Sequence, residues 1–239
     1  MRGAGPLRLL HPRAAGDAAW IVTSSFGGGL VDGDDVALEV TIDPGATALV
    51  TTQASSKIYK GTSRQRLAVR VHGDGNALVV PDPIVPFRDA SYTQRTKIAL
   101  DRDSSLVLCD VVTAGRIAFG ERWSCTRFDS CLEIEIDGRR VLCDRVVLDG
   151  AIGEKMTRFS AIATAILVGP RAGTFGRAEL EKLGGAGKRA PLVAAGSPLA
   201  DGAMLRVAGE SIEQVVAATH AMLAGACTAL GEDPWSRKW

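Results

Sequence analysis

Residues Ser24 to Asp35, with the sequence SSFGGGLVDGDD, combine four glycines and three aspartates within twelve positions. Each glycine increases the entropy lost on folding, so such a cluster indicates backbone at positive φ or in close contact with another segment. The segment is typical of a tight turn, of a phosphate-holding loop or of the acidic mouth of a site. A strand-like sequence rather than a helix follows it, and its aspartates repel anions, so a nucleotide site is not expected.

Histidines and cysteines are few and scattered along the chain. The three histidines, His11, His72 and His220, lie in an irregular segment, at a turn and on a predicted helix, so no Ser-His-Asp or Cys-His arrangement is indicated. The five cysteines include no C-x-x-C pair, and Cys125 and Cys131 are interpreted as buried structural thiols. The sequence therefore predicts neither a catalytic triad nor permanent metal storage.

Composition favours one globular domain over residues 1–239, because 46% of the residues are hydrophobic. The 28 basic side chains are balanced by 27 acidic ones, so neither a nucleic-acid partner nor a membrane surface is indicated. We expect no secretory signal and no membrane span, since the apolar runs are short or interrupted by charges. An odd number of cysteines without a disulfide pattern fits a reducing, cytoplasmic compartment.

Hydrophobic alternation with a period of two dominates the first two thirds of the chain. Residues 36–42 alternate in this way and predict a half-buried strand. The dipeptides Asp74-Gly75 and Asp137-Gly138 each follow an alternating run and predict β-hairpins. No repeat of 20 to 50 residues is evident, so internal periodicity does not predict a solenoid.

Helical spacing appears only towards the end of the sequence. Apolar residues follow it over residues 212–230, Ser211 and Gln214 form a capping box before them, and Gly231 is a stop signal. A shorter helix is predicted around residues 177–184. These patterns place helices after a long β region.

Four polar segments interrupt this pattern without being needed to close a sheet. They are SSFGGGLVDGD, TTQASSKIYK at 51–60, PDPIVPFRDASYTQ at 81–94 and GRIAFGERW at 115–123. In this order and spacing they resemble the urease accessory protein family called UreD or UreH. That family has a Gly-Gly then Gly-Asp segment, T-T-Q-x-x-x-K-x-Y, a Pro-rich segment and G-R-x-x-x-G-E in succession. The resemblance covers nearly the whole chain, including the final helix and the segment DPWSRKW.

The resemblance implies a mainly β fold, a large single domain of stacked, β-helix-like strands with two α-helices, one of them C-terminal. It also implies a scaffold rather than an enzyme. Such a scaffold binds the accessory protein UreF, reaches the GTPase UreG through UreF and docks on the urease apoprotein. Nickel would pass through a water-filled internal tunnel to the urease active site, as an ion in transit and not as a permanently bound cofactor.

Matching positions to the family motifs gives candidate residues for this passage. Asp34 and Glu121 are predicted transit carboxylates, because oxygen ligands in a hydrated passage release a metal ion more readily than a His/Cys cage. The residues predicted to line or brace the route are Asp32, Thr51, Thr52, Gln53, Lys57, Tyr59 and Arg116. Arg116 could also lower the pKa of Glu121 and keep it ionised.

Other interpretations of the same residues remain open from sequence. The polar groups could satisfy one another inside a large β core. Asp34 and Glu121 could be the acid/base pair of an all-β carboxylate hydrolase, and the chain could equally be a plain β binding module. Trp235, Arg237 and Trp239 in the C-terminal segment are residue types common at interfaces, but a tail packed on its own domain is the alternative.

Overall fold

The computed structural model describes residues 6–13, 16–183 and 189–236. Its strands form a sheet of eleven strands, here called sheet A, and a sheet of five strands, here called sheet B. The strands in chain order are β1 (Leu7–Leu10), β2 (Ala19–Ser25), β3 (Gly29–Leu30), β4 (Asp35–Ile42), β5 (Thr47–Thr52), β6 (Ser56–Ile58), β7 (Gly61–Val71), β8 (Asn76–Val79), β9 (Ile84–Pro86), β10 (Ala90–Leu100), β11 (Ser105–Thr113), β12 (Arg127–Ile136), β13 (Arg139–Asp149), β14 (Ala161–Val168), β15 (Leu192–Leu199) and β16 (Gly202–Gly209). The α-helices are α1 (Ile152–Met156), α2 (Gly173–Lys182) and α3 (Ile212–Ala229).

From β2 to β12 the chain passes repeatedly from sheet A to sheet B and back, so this part of the chain winds as a solenoid. Strands β2, β5, β8 and β11 lie side by side and parallel in sheet A. Strands β4, β7, β10 and β12 do the same in sheet B. Thr47 pairs with Asn76, and Asn76 pairs with Ser105, so one coil takes 29 residues. The stacked, mainly β fold is thereby confirmed, and the expectation that the chain has no repeat of this length is wrong.

The coil repeat is not visible as sequence similarity, because successive coils share turn positions and strand register more than residue types. The turns Asp43–Ala46, His72–Gly75 and Asp101–Ser104 each close with a backbone hydrogen bond from the fourth residue to the first, of 3.1, 3.0 and 3.1 Å. Their sequences differ, although they occupy the same corner of consecutive coils. The Asp74 carboxylate also accepts the Gly45 N–H at 2.7 Å, which links one turn to the turn before it.

The prediction of a hairpin at Asp74-Gly75 is wrong, because this turn is one of the corners of the solenoid. This turn carries the chain from β7 in sheet B to β8 in sheet A, and the two strands pair with different neighbours. The hairpin at Asp137-Gly138 is confirmed, since β12 and β13 pair in antiparallel fashion across it. Asp137 and Gly138 have φ of 49° and 73°, as a type I′ turn requires.

The two sheets differ in burial, and their sequences differ accordingly. Sheet A lies between sheet B on one side and helices α2 and α3 on the other, so a strand such as β11 is buried at nearly every position. The outer face of sheet B carries no helix within the described residues, and β10 alternates buried with half-buried positions. The period-two pattern of the sequence therefore belongs mainly to sheet B.

The C-terminal segment closes the solenoid on its helix-covered side. Helix α3 begins after Ser211, whose hydroxyl accepts the Gln214 N–H, so the predicted cap is confirmed. Helix α2 lies where the shorter helix is predicted, whereas α1 has only five residues and makes three helices instead of the two expected. After α3, the buried Glu232 carboxylate accepts the Trp20 indole N–H at 2.9 Å, which ties the last residues to the first coil.

The glycine cluster lies at a corner of the first coil, where one glycine has a positive φ and another is in close contact with the next coil. Gly33 has a φ of 86°, which other L-residues rarely adopt. Gly29 pairs with Lys57 of the next coil, and a Cβ atom there would overlap the Lys57 carbonyl oxygen and lie 2.6 Å from the Tyr59 ring. The turn interpretation of this segment is the one the structure supports.

Replacing Gly29 with alanine should therefore force the first two coils apart at this corner. We expect Gly29→Ala to lower the free energy of unfolding by about 1–3 kcal/mol, the usual cost of overpacking. Chemical denaturation followed by circular dichroism measures this change. Gly153→Ala is the matched control, because a Cβ atom at Gly153 of α1 meets open space. Equal effects of the two substitutions would contradict the predicted contact.

Candidate functional site

Polar side chains form a stripe through the space between the two sheets. Seven of the polar residues that line the interior cavities are here called the interior polar stripe: Thr23, Thr52, Asp110 and Thr164 of sheet A and Gln65, Gln94 and Ser130 of sheet B. The cavity linings also include Thr51, Ser56, Thr96, Arg66 and Asp144. The register of the solenoid produces the stripe, because equivalent positions of successive coils lie next to each other. Thr23 thus pairs with Thr52, and Gln65 pairs with Gln94.

Two cavities lie along this stripe. The first has a volume of about 60 Å³, and the second about 30 Å³. Both volumes exceed the roughly 10–15 Å³ that a cavity needs to hold a water molecule. Asp110 and Leu132 line both cavities, so the Asp110 side chain lies where the two meet.

Asp110 is the charged member of the stripe, and only one of its carboxylate oxygens is paired. Gln94 Nε2 donates a hydrogen bond to Oδ2 at 2.7 Å. The buried Oδ1 atom has no hydrogen-bond partner within the part of the chain that the structure describes. The Tyr92 hydroxyl lies 3.2 Å from Gln94 Oε1 and 3.1 Å from Gln65 Oε1, which fixes the orientation of the Gln94 amide. An unpaired buried oxygen beside a water-sized space is an available ligand.

Burial raises the pKa of Asp110 to about 6, while the Gln94 hydrogen bond and the Val111 backbone N–H oppose that shift. Burial also raises the pKa of Tyr92, and the negative charge of Asp110 adds to this effect. Near neutral pH the Asp110 carboxylate is thus mainly ionised, in surroundings that make a positive ion a favourable neighbour.

Thr51 and Thr52 separate the first cavity from the outside. Both line the cavity, and both also line a surface groove of about 750 Å³ together with Gln53, His11 and Asp82. The Thr52 hydroxyl donates to the Asp82 carboxylate at 2.9 Å and accepts the Asp82 N–H at 2.8 Å. The structure therefore brings three predicted lining residues together at one mouth. Lys57 lies nearby with an exposed side chain, in a smaller pocket that Thr52 and Gln53 also line.

Tyr59, Arg116 and Glu121 meet at a different place, an aromatic corner of the solenoid. Arg116 binds both oxygens of Glu121, at 2.8 and 2.6 Å, and its guanidinium lies 4.1 Å from the centre of the Phe87 ring. Tyr59 packs edge-on against Phe87 with ring centres 5.1 Å apart. The Arg116 hydrogen bonds hold the pKa of Glu121 below its usual value, although burial opposes them. This pair braces the corner and keeps Glu121 ionised.

Asp32 and Asp34 hold backbone at the glycine-rich corner. The Asp32 carboxylate accepts the Thr62 N–H of the next coil at 2.7 Å. The Asp34 carboxylate accepts the Val31 N–H at 2.8 Å within its own turn. Neither carboxylate lines the two interior cavities, and neither does Glu121.

The sequence interpretation missed Asp110, Gln94 and Tyr92. One signal was present, because Asp110 is the single charged residue in the run SLVLCDVVT of β11. A charge within a strand buried on both faces is rare unless it is paired or functional. The polar and apolar alternation in β10 did not show that Gln94 faces inwards, because glutamine is also common on a solvent-exposed face.

Comparison with known proteins gives the family of this chain. Residues 1–239 match the family model described as the UreD urease accessory protein. This chain belongs to the UreD family of urease accessory proteins. It is 45% identical to the urease accessory protein UreD of Sorangium cellulosum strain So ce56, over 98% of the chain and 77% of that protein. It is 39% identical to UreD of Anaeromyxobacter sp. strain Fw109-5 (97% and 81%) and 37% identical to urease accessory protein D of Arabidopsis thaliana (70% and 61%).

Two further observations concern the surface of this UreD-family protein. No helix among the described residues is long and apolar enough to cross a membrane. In the C-terminal segment, Trp235 stacks on His220 of α3 with ring centres 4.1 Å apart, so this tryptophan packs on its own domain. Arg237 and Trp239, the other predicted contact residues, lie outside the described residues.

Replacing Asp110 with asparagine should make stability less dependent on pH. The wild-type carboxyl has a pKa of about 6 in the folded state against an ordinary value of 3.8, so the folded protein binds more protons between these values. Wild-type stability therefore falls as the pH rises from about 4 to 6, and the penalty is complete above pH 6. We expect Asp110→Asn to be more stable than wild type by about 1–3 kcal/mol at pH 8.

Urea denaturation at several pH values measures this difference, which should shrink as the pH falls from 6 to 4. Asp35→Asn serves as the control, because Asp35 pairs with Arg66 on the exposed face and should change stability by less than about 1 kcal/mol. A stability gain for Asp110→Asn that stays constant from pH 8 to pH 4 would rule out the buried charge as its cause.

Proposed function

We propose that this UreD-family protein is a non-catalytic scaffold that conducts nickel to urease during assembly of the urease metal centre. It binds UreF, reaches the GTPase UreG through UreF and docks on the urease apoprotein. Nickel is its cargo and not a resident cofactor. The observation that carries this proposal is the unpaired Oδ1 of Asp110, which lies where two cavities meet whose linings include several hydroxyl and amide side chains.

The chemistry of the stripe suits passage better than storage. Apart from Asp110, its members are hydroxyl and amide side chains, which bind a divalent ion weakly. The Asp110 carboxylate beside these neutral oxygens attracts a cation into the interior without enclosing it. Conduction requires this balance, because the ion has to leave as readily as it enters.

Entry from the groove at Thr51 and Thr52 gives the route a direction. Asp82 and His11 line the groove, so a carboxylate and an imidazole lie outside the first cavity. Asp144 lines the second cavity at the far end of the stripe, where it pairs with Arg206 at 2.6 Å. The proposed route thus runs from Asp82 past Asp110 towards Asp144.

Asp34 and Glu121 stay predictions as transit carboxylates. In the folded chain the oxygens of Glu121 are bound by Arg116, and one oxygen of Asp34 is bound by the Val31 N–H. An ion could use them only by displacing these partners. A structural role for both residues is therefore the competing hypothesis, and the experiment below separates the two.

We further propose that the protein works in the cytoplasm. All five of its cysteines are free thiols in the structure, as expected for a reducing compartment. Two of them, Cys131 and Cys143, are adjacent without being bonded.

The proposed function is tested in a host that expresses the urease subunits and the other accessory proteins, with and without this chain. Urease specific activity and nickel content per active site should both fall without the chain and return with it. If neither changes, the chain does not mature urease, and the scaffold proposal is wrong.

Variants then locate the route. We expect Asp110→Asn to lower the nickel content of urease several-fold while UreF still co-purifies with the chain, because only the carboxylate is removed. Asp34→Ala and Glu121→Ala are made alongside, with Asp35→Asn on the outer face as control. Full nickel content with Asp110→Asn would exclude the stripe as the conduit. Loss of UreF binding with Asp34→Ala or Glu121→Ala would assign those residues a structural role.

A further inference from the structure

Two cysteines and a glutamate meet on the outer face of sheet B, away from the interior polar stripe. Cys131 and Glu133 are two residues apart on β12, so their side chains project from the same face. Cys143 lies on β13 directly opposite Glu133. Their sulfur and oxygen atoms all lie within 4.8 Å of one another. Cys143 is exposed and the other two residues are half-buried, so the interpretation of Cys131 as a buried thiol is wrong.

A β-bulge brings the two cysteines to one face. Next to the hairpin turn, Ile136 pairs with Arg139 and Glu135 with Arg140, but beyond them Ile134 pairs with Leu142. Val141 is thus an extra residue in β13. If Val141 instead took the place opposite Ile134 and the ladder had no bulge, Cys143 would pair with Leu132, whose side chain faces the interior, and would point away from Cys131. A shift of one residue exchanges the two faces of a strand.

We propose that Cys131, Glu133 and Cys143 bind a thiophilic divalent cation, for which Zn²⁺ is the best match, with a fourth position left to water or to a partner. Two thiolates and one carboxylate are a ligand set that zinc accepts. A tetrahedral ion at about 2.3 Å from each sulfur needs the sulfurs about 3.8 Å apart. Movements of about 1 Å by side chains on two paired strands are enough to close the site.

The charges around the site permit a cation to bind. Arg145 and Arg95, on the strands either side of Cys131, are both occupied by the buried Asp129 carboxylate, at 2.8 and 3.0 Å. Lys97 pairs with Glu135 at 3.4 Å, so Glu133 is not the partner of that lysine. Arg95 and Arg145 therefore share the Asp129 carboxylate, and Lys97 has Glu135 as its counter-ion.

Protonation of the two thiols determines the pH range in which the site binds a metal ion. Burial, followed by the neighbouring Cys143, raises the pKa of Cys131, while the positive charge of Arg95 lowers it. A metal ion must displace thiol protons, so affinity should increase as the pH rises. The cysteines remain close enough to compete by forming a disulfide, and reduced protein is required for the test.

The experiment uses the full chain, purified under a reductant that does not bind metal. Competition with a chromophoric chelator measures Zn²⁺ affinity, and the near-ultraviolet charge-transfer absorption of Co²⁺ reports thiolate ligation. We expect one ion per chain. Cys131→Ser and Cys143→Ser should each weaken Zn²⁺ binding by about tenfold or more and lower the Co²⁺–thiolate absorption, because a ligand is lost rather than a supporting group. Replacing both cysteines should abolish that absorption.

Glu133→Gln should weaken Zn²⁺ binding while leaving the Co²⁺–thiolate absorption. Glu135→Gln is the matched control, because Glu135 lies on the same strand and face but outside the cluster, and it should bind as wild type. Thermal unfolding of each variant establishes that it is folded. No binding by the wild type, or unchanged binding after both cysteines are replaced, would overturn the proposal. Because this test involves the chain alone, it can fail while the proposed nickel route stands, and the reverse.

Discussion

The parallel register between successive coils is the constraint on which the rest of this structure depends. Main-chain hydrogen bonds hold each strand to the strand 29 residues away, and this spacing is kept across both sheets in the first coils. A residue type that recurs at this interval becomes a column. Apolar columns form the core between the sheets, and the column that contains Thr23, Thr52 and Asp110 forms one side of the interior polar stripe.

That register also explains how the interior tolerates a charge. Asp110 faces Gln94 of the opposite sheet, and the two cavities beside it have room for water. Burial of an isolated carboxylate normally shifts its pKa until the group is neutral. Here the Gln94 amide and the Val111 N–H limit the shift to a value near 6. The residue stays largely ionised at neutral pH because its neighbours supply hydrogen-bond donors to the carboxylate.

Local patterns in the sequence were sufficient for much of the fold, but long-range pairing was not. Alternation predicted the strands of sheet B, and the signals at Ser211 and Gly138 predicted the cap of α3 and the β12–β13 hairpin. The Asp74-Gly75 dipeptide indicated a tight turn correctly, yet a dipeptide does not determine which sheet the next strand joins. For the candidate site, Thr51, Thr52 and Gln53 lie at the mouth of the first cavity, whereas Asp110 was overlooked in an apolar run. The bulge at Val141 shows the same limit, since one extra residue reversed the side on which Cys143 lies.

The closure of the solenoid by its last residues has a consequence during synthesis. The outer face of sheet A presents Trp20, Leu49 and Leu78, and this face is covered by α3 and the segment that contains Glu232. Each coil can pair with the previous one as soon as it leaves the ribosome, but α3 and the segment that contains Glu232 are synthesised after all the coils. Roughly 160 residues separate Leu49 from α3, so at about 5–20 residues per second the apolar face stays open on the order of 10–30 s. During that interval the nascent chain exposes an apolar surface that is buried in the folded protein.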